Sequence, residues 1–288
     1  MWKYIRKRLI LAVVILLGVS MLIYLLSMLM PTDYIDRQTA PALSNGTMTL
    51  EDVTRLKELY GLADKSFFGI VGSYLRWLSG TFTGDLGFSF LYGKPVTQVI
   101  NEYIWTSFTL ALIAFIIETA ISIPMGIRAA VNQYGGYDYT VSVLAMIGTA
   151  LPSFFLAALL MNVFCIHLGW FPLQGLTTAT KIFASDAHME IFLDKAWHLV
   201  LPITVLVLLG IGGLMRFTRT NMLEVMNSDY IRTARAKGLS EHTVIYKHAF
   251  RNTLIPLVTT LSGSLPGLFG GAMITETVFA VPGIGYIA

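Results

Sequence analysis

The chain has 288 residues, of which 55% are apolar and 13% are charged, with 20 basic and 17 acidic side chains. Because a soluble globular chain carries about 25% charged residues, this composition excludes an ordinary soluble domain and a disordered chain, and it indicates a protein embedded in lipid. The single cysteine, Cys165, excludes an internal disulfide and has no neighbours at the spacing of a zinc site.

Five segments are apolar and long enough to cross a membrane, since a bilayer core of about 30 Å requires about 20 helical residues. The first lies within residues 1–30, after a basic amino terminus. The other predicted spans are 103–130, 139–166, 196–215 and 252–275. The sequence therefore predicts an all-α integral membrane protein with five transmembrane helices. A cleaved signal peptide is the alternative for the first span, although its uncharged stretch exceeds the about 7–15 apolar residues of such signals.

The positive charges predict the orientation. Lys and Arg cluster before the first span and in the loop 216–251, whereas acidic residues slightly outnumber them in the loop 167–195. Since basic residues near span ends resist transfer across the membrane, the amino terminus and the loop 216–251 are predicted to be cytoplasmic. Residues 31–102, 167–195 and 276–288 are then predicted to lie outside.

Residues 31–102 are predicted to contain short helices. Thr49 and Asp52 have the spacing of a capping box, apolar residues follow at helical spacing, and Gly61 offers a stop. A second short helix is predicted to begin near Phe68, and GTFTGDLGFSF is predicted to form turns. This segment either covers the outer mouth of the helix bundle or docks an external partner.

Glu118 is the one acidic residue deep in a predicted span. An ionised carboxylate near the bilayer centre costs roughly 2.5–3.5 kcal/mol on insertion scales. Glu118 is therefore a candidate for the translocation pathway, where it would meet a peptide ammonium group or a cation. The alternative is a protonated side chain that is hydrogen-bonded locally to Thr119 or Ser122.

The cytoplasmic loop 216–251 is predicted to fold as two capped helices. Ser228 or its neighbour can cap the first helix, Gly238 offers a left-handed stop, and Ser240 can cap the second. Pro256 is predicted to open the fifth span. Such an elbow can transmit a push between membrane helices; the alternative is that its positive charge only fixes topology or attracts anionic lipid.

The predicted fifth span contains three glycines spaced four apart, Gly263, Gly267 and Gly271, with Pro266 between them as a predicted bend. Small residues at this spacing let helix backbones approach closely in lipid. They predict either a seam with a second protein or a wall of the passage, or else packing within the chain. Because the sequence ends in an apolar stretch, a sixth span is expected beyond residue 288, with a five-span protein as the alternative.

Several ordered motifs resemble one protein family. DYIRTARAKGLS followed by HAFRNTLIP, within residues 229–256, resembles the cytoplasmic signature loop of the dipeptide and oligopeptide permease branch of binding-protein-dependent ABC importers. LKELYGL, GDLGFSF, HLVLP and ETVFAVPGIG resemble the same branch in the same order. Of the wider superfamily pattern only Ala234 and Gly238 match, whereas Arg232 and His248 depart from it, which disfavours sugar-type relatives.

This resemblance implies the type I permease fold of ABC importers, with six spans, in a prokaryotic inner membrane. It implies three kinds of partner besides the lipid bilayer: a second homologous permease, two ATP-binding subunits that carry ATP and Mg, and an extracytoplasmic substrate-binding protein. No cofactor, metal or nucleic acid is expected on this chain. The sequence contains no Gly-x-x-x-x-Gly-Lys-Ser/Thr motif, so ATP hydrolysis is expected on the partner subunits.

The resemblance also implies that the loop 216–251 forms a coupling helix seated on an ATP-binding subunit. In this interpretation Ala234 permits close approach and Gly238 makes the turn. The residues expected at this contact are Asp229, Arg232, Ala234, Arg235, Lys237, Gly238, His248 and Arg251.

Peptides are the expected cargo, while nickel, glutathione and oligosaccharides stay open as substrates of the same branch. An ion-coupled secondary transporter is the main rival, because Glu118 and interrupted helices would suit an ion site. That rival would give the basic elbow no function, and no inverted repeat is visible. A membrane-embedded enzyme is disfavoured, since no convergent catalytic motif occurs in the sequence.

Overall fold

The computed structural model describes residues 2–29, 34–59, 66–89, 91–181 and 187–288. These residues are almost entirely helical, and the chain divides into two compact units, Met1–Val99 and Ile100–Ala288. Within the described ranges three helices are long and apolar enough to cross a membrane, and one bent helix pair is a fourth candidate. The all-α membrane architecture predicted from the composition is confirmed.

The elements follow one another as helices with a single short strand pair among the described residues. The first unit contains α1 (Trp2–Met28), α2 (Tyr34–Ser44), α3 (Leu50–Leu59), α4 (Phe67–Phe82), β1 (Phe88–Ser89) and β2 (Lys94–Pro95). The second contains most of α5 (Val96–Val131), then α6 (Gly136–Ala150), α7 (Ser153–Leu160), a π-helix (Met161–His167), α8 (His188–Met226), α9 (Asp229–Ala236), a second π-helix (Thr243–Phe250), α10 (Arg251–Ser264), a 3-10 helix (Leu265–Phe269), α11 (Met273–Val278) and α12 (Ile284–Ile287).

In the first unit, the apolar helix α1 packs on α4 through aromatic side chains. The rings of Tyr24 and Tyr74 lie 5.6 Å apart, edge to face, and the Ser20 hydroxyl is 2.8 Å from the Tyr74 hydroxyl. In α1 only Met28 is buried. A helix that is apolar all round and exposed along its length is suited to lipid.

The short helices of the outer segment confirm the predicted capping. The Thr49 N–H donates to Asp52 Oδ2 at 2.9 Å, and the Asp52 N–H donates to Thr49 Oγ1 at 3.3 Å. The Thr49 N–H, with help from the Thr49 hydroxyl, lowers the pKa of Asp52 below its ordinary value. The predicted second helix is α4, which Ser66 caps through a bond from the Gly69 N–H. The predicted stop at Gly61 lies outside the described residues.

The segment predicted as turns, 80–90, begins within α4 and ends with β1, the first strand of the one strand pair among the described residues. β1 and β2 pair antiparallel, with Phe88 opposite Pro95. Gly87 and Gly93 flank β1 and adopt φ of +92° and +62°, where a glycine has no steric penalty. The helix α2 was not expected from the sequence, because Pro41 stands inside it and proline ordinarily interrupts a helix.

The second unit is built around α8. An added Cβ at Gly212 would lie 2.5 Å from the Ala145 carbonyl oxygen of α6, and one at Gly126 of α5 would lie 2.6 Å from Thr218 of α8. These glycines let the helix backbones approach closely, as small residues do in membrane proteins. Glycines therefore allow close helix packing in this chain, but at positions other than Gly263, Gly267 and Gly271, which the sequence had indicated.

The predicted third span, 139–166, is not one straight helix. α6 ends at Ala150, and the α7–π-helix stretch leaves it at an angle of 102°. Leu151 adopts an extended conformation with ψ of 129°. The physical reason is Pro152, whose ring disfavours the helical conformation in the preceding residue.

The fourth and fifth spans also differ from the predicted bounds. α8 has 39 residues and extends well beyond 196–215 at both ends, where the charged residues Asp194 and Arg219 have partners within the fold. The segment 252–275 is shared among α10, the 3-10 helix and α11. Pro266 marks the break after α10, as predicted. Pro256, however, lies inside α10 rather than at its start, because the second π-helix runs directly into α10.

Candidate functional site

Residues 229–250, here called the coupling hairpin, fold as the predicted helix, glycine turn and helix. Ser228 stands at the amino-terminal cap position of α9, although its hydroxyl bonds back to the Val225 carbonyl. Gly238 has φ of +75°, and its N–H donates to the Arg235 carbonyl at 2.9 Å. Ser240 caps the second helix by accepting from the Thr243 N–H at 3.4 Å. The local signals therefore specify the turn.

One face of the coupling hairpin is buried against membrane helices. Ile231 and Val244 are fully buried, and they share a hydrophobic cluster with Ile127 of α5 and Met222 of α8. Thr253 of α10 contacts the same cluster, because its hydroxyl donates to Met222 Sδ at 3.3 Å. The hairpin is therefore packed directly onto three membrane helices, so a force applied to it reaches the ends of these helices that lie beside it.

Ala234 belongs to this buried face, with 6% of its surface exposed. It lies three residues after Ile231, and residues at that spacing share one side of a helix. Its small side chain therefore permits close packing of α9 within the chain itself. The resemblance implied a close approach of a partner subunit at Ala234, and that contact stays a prediction.

The other predicted coupling residues lie on the outer face of the hairpin. Arg235 donates to both carboxylate oxygens of Glu241, at 2.9 and 3.3 Å. Arg232 lies 3.6 Å from Asp229. Such exposed ion pairs add little stability, so these side chains are free to exchange partners on docking. The predicted coupling residues that are exposed are Asp229, Arg232, Arg235, Lys237, Gly238 and Arg251, and His248 is partly exposed.

A buried ion pair stands above the hairpin and was not predicted from the sequence. Asp138, at the start of α6, accepts from Arg219 Nε and Nη2 of α8, both at 2.6 Å. Its side chain is 4% exposed, and that of Arg219 is 22% exposed. The Tyr134 N–H also donates to Asp138, at 3.0 Å. This bidentate pair fixes α6 to α8 one turn before the hairpin cluster.

Glu118 is half-buried and lies against α8. Its carboxyl group occupies the space that a side chain at Gly210 would need. Neither predicted local partner is engaged with it, because Ser122 donates to the Ile211 carbonyl at 3.3 Å and the buried Thr119 hydroxyl has no partner. Among the described residues Glu118 itself has no hydrogen-bond partner, so its role in the pathway stays a prediction.

The three predicted packing glycines behave differently from one another. At Gly263 and Gly267 an added Cβ would meet no atom of the described residues within 4 Å, whereas Gly271 adopts φ of +74° and lies against the backbone of Gly285. Packing within the described part of the chain therefore does not explain the first two. Gly271 serves a turn rather than a helix seam.

The segment 271–286, here called the knot, is organised by a buried carboxylate. Glu276 is fully buried. It accepts from the Ser107 hydroxyl at 2.7 Å, the Ala272 N–H at 2.9 Å and the Tyr286 N–H at 3.0 Å. The Ile284 N–H donates to Ser107 in turn. These bonds hold the knot against α5. The motif ETVFAVPGIG contains Glu276, but the sequence alone predicted no role for this residue.

The architecture is that of a helical membrane permease: a bundle of apolar helices that carries a packed hairpin at one end. Residues 122–288 match the family described as binding-protein-dependent transport system inner membrane component. The chain belongs to this family, whose fold is the type I permease fold of ABC importers.

Characterised relatives extend the match over the whole chain. The oligopeptide transport system permease protein AppB of Bacillus subtilis is 36% identical over 286 residues, which cover 99% of this chain and 85% of the relative. The dipeptide transport system permease protein DppB of Alkalihalophilus pseudofirmus is 33% identical over 296 residues, which cover 99% and 86%. The resemblance to the peptide branch stated from the motifs is confirmed.

Proposed function

We propose that this chain is one of two permease subunits of a peptide importer and that partner subunits drive it by hydrolysing ATP. Peptide cargo is supported by the relatives, which are named as oligopeptide and dipeptide transport permeases. An external binding protein would deliver the peptide, as the family description implies. ATP and Mg would be held by the two ATP-binding partners, and the chain would contribute half of the passage.

The two-faced coupling hairpin carries this proposal. Its inner face, with Ile231 and Ala234, is buried against α5 and α8, and its second helix continues into α10. Its outer face presents Arg232, Arg235 and Lys237. An element anchored on three membrane helices can pass a displacement to all of them. The exposed basic face is then the surface that a partner can move.

The remaining assignments follow from the same arrangement. The amino terminus and the coupling hairpin would be cytoplasmic, in agreement with the distribution of basic residues. Gly263 and Gly267 leave open space along α10 and its continuation, so they would form the seam with the second permease. Glu118 would line the passage and meet the peptide ammonium group, since intramembrane acids face protein interiors or watery cavities.

Crosslinking in the assembled transporter tests the coupling assignment. In a Cys165→Ser background, Arg232→Cys and Lys237→Cys should crosslink to an ATP-binding subunit, and the exposed Asp85→Cys of the outer segment serves as the control. The expected adducts form from the two hairpin positions alone. Adducts from Asp85→Cys, or none from either hairpin position, would contradict the proposed docking.

Transport in proteoliposomes tests the energy source and the cargo. The complete complex with its binding protein should accumulate a labelled peptide only when ATP is present on the side of the hairpin. Uptake driven by an ion gradient without ATP would instead support the secondary-transporter alternative.

A further inference from the structure

Arg216 is an exposed arginine on α8 whose side chain is held in a defined position. Its Nε donates to the Gly212 carbonyl at 3.3 Å, one turn earlier in the same helix. Its Nη2 donates to the Thr149 hydroxyl of α6 at 3.0 Å. Both bonds draw the guanidinium back along α8, toward the middle of the apolar stretch.

Arg219 provides a contrast three residues later. The two arginine Cα atoms are separated by about 4.5 Å along the helix axis, yet their partners on α6, Thr149 and Asp138, are separated by about 16 Å at ~1.5 Å per residue. The side chains therefore diverge: Arg219 reaches toward the start of α6 and Arg216 toward its end. An arginine that binds lipid headgroups would extend its side chain toward the nearer membrane surface instead. In the proposed orientation that surface is the cytoplasmic one.

The two arginines also differ in charge balance. The Arg219 guanidinium is neutralised by the Asp138 carboxylate. Arg216 has no carboxylate partner within the described ranges of the chain, and its two acceptors, a carbonyl and a hydroxyl, are neutral. A charge that is drawn back along a membrane helix ordinarily faces a watery cavity or an opposite charge rather than lipid.

The surface beside Arg216 is open and is bounded by Glu118. Gly210, Gly213 and Arg216 follow one another at intervals of three on one side of α8, the Glu118 carboxyl lies on Gly210, and an added Cβ at Gly213 would meet nothing within 4 Å. A carboxyl group and a guanidinium therefore border the same side of one helix, with Gly213 between them along the helix.

We propose that Arg216 receives a carboxylate of the peptide in transit, and that Gly213 keeps this side of the helix clear for its backbone. A guanidinium binds a carboxylate through two parallel charge-assisted hydrogen bonds. The opposite end of a zwitterionic peptide suits Glu118. This inference rests on the proposed peptide permease function and adds to it a residue that selects for negative charge in the cargo.

Uptake of a peptide and of its carboxyl-terminal amide by the reconstituted transporter tests this role. The binding protein is the same for every variant, so its own preference between acid and amide does not change. A change in the ratio of free-acid to amide uptake therefore comes from the permease. Arg216→Gln should lower this ratio about tenfold, since a hydrogen bond between charged groups is worth about 1.5–3 kcal/mol, while Arg216→Lys should lower it less. Arg128→Gln, which removes a guanidinium that lies over Tyr137, should leave the ratio unchanged.

Parallel loss of acid and amide uptake, or no change in either, would show that Arg216 does not recognise the carboxylate. If the wild-type complex imports no peptide at all, the proposed function is contradicted. The inference about Arg216 is then decided by a thiol-modification experiment.

The second measurement does not depend on transport. Arg216→Cys in a Cys165→Ser background is modified with a water-soluble thiol reagent, with and without a saturating free-acid peptide that is added directly. Peptide should slow the modification several-fold, and the amide should protect less. Equal rates with both peptides, slow modification without any peptide, or protection by phosphatidylglycerol alone would assign the position to the seam or to lipid and overturn the inference.

Discussion

Asp138 and Arg219 are 81 residues apart in sequence, yet their side chains meet in two hydrogen bonds of 2.6 Å. The pair holds the first turn of α6 against α8 directly above the cluster that carries the coupling hairpin. A displacement of the hairpin is thus expected to move α6 and α8 together, because the pair resists sliding between them.

Asp138→Asn should destabilise the chain by about 2–3 kcal/mol, because it leaves the largely buried Arg219 guanidinium without its counter-charge. Thermal unfolding of the purified protein in detergent measures the loss. The double variant Asp138→Asn/Arg219→Gln should recover part of it, since two neutral side chains can share a hydrogen bond. A double variant that is less stable than either single one would indicate that the two sites act independently.

Ala234→Leu should loosen the coupling hairpin, because the added atoms have no room in the cluster with Ile231 and Val244. Overpacking of this kind costs about 1–3 kcal/mol. Hydrogen exchange over residues 229–250 in the isolated chain should rise. Ala236→Leu makes the same change two residues later at an exposed position, and its exchange should match the wild type; equal effects at both positions would place Ala234 on the surface.

Glu276→Gln should weaken the knot. The amide NH₂ group of the variant would point at one of the groups that donate to the carboxylate. Two donors would then face each other, and a buried unsatisfied donor costs about 1–3 kcal/mol. Ser107→Ala removes one donor to Glu276 and the acceptor of the Ile284 N–H, so it should act in the same direction. Melting of both variants and of their combination is the measurement, and strictly additive losses would contradict a shared network.

Local signals made the hairpin predictable from the sequence. Ser240 and Gly238 act on neighbouring backbone groups, so their capping and turn roles follow from residue type and spacing. The same holds for Thr49 and Asp52 in the outer segment. The orientation of α9 also had a readable signal, because Ile231 and Ala234 share one face, but the resemblance to the permease family implied a partner contact at Ala234 instead.

Contacts between distant segments were not predictable. Asp138 lay in a short polar loop and Glu276 in an apolar motif, and nothing near either residue in sequence specifies Arg219 or Ser107 as its partner. The bounds of α8 were underestimated because a search for uncharged residues stops at Lys195 and Arg216, although the helix continues past both. The break at Leu151, in contrast, was readable from Pro152, but the apolar run around it resembled one span.

Two glycines with opposite surroundings allow a matched test of packing. At Gly283 an added methyl group would overlap the Ser107 hydroxyl and the Glu276 carboxylate, whereas at Gly263 it would meet nothing in the described residues. Gly283→Ala should therefore lower the melting temperature of the isolated chain sharply, because neither neighbour can move without breaking the knot. Gly263→Ala should leave it unchanged or raise it slightly, since alanine favours a helix by about 0.5–1 kcal/mol over glycine.

In the assembled transporter, unlike in the isolated chain, a larger side chain at Gly263 should be harmful. If Gly263 lies in a seam with the second permease, Gly263→Leu should reduce recovery of the two-permease complex in a pull-down while the isolated chain stays stable. The bulky side chain would hold the helices apart where glycine lets them touch. Full recovery of the complex with Gly263→Leu would exclude this position from the seam and leave it facing lipid or the passage.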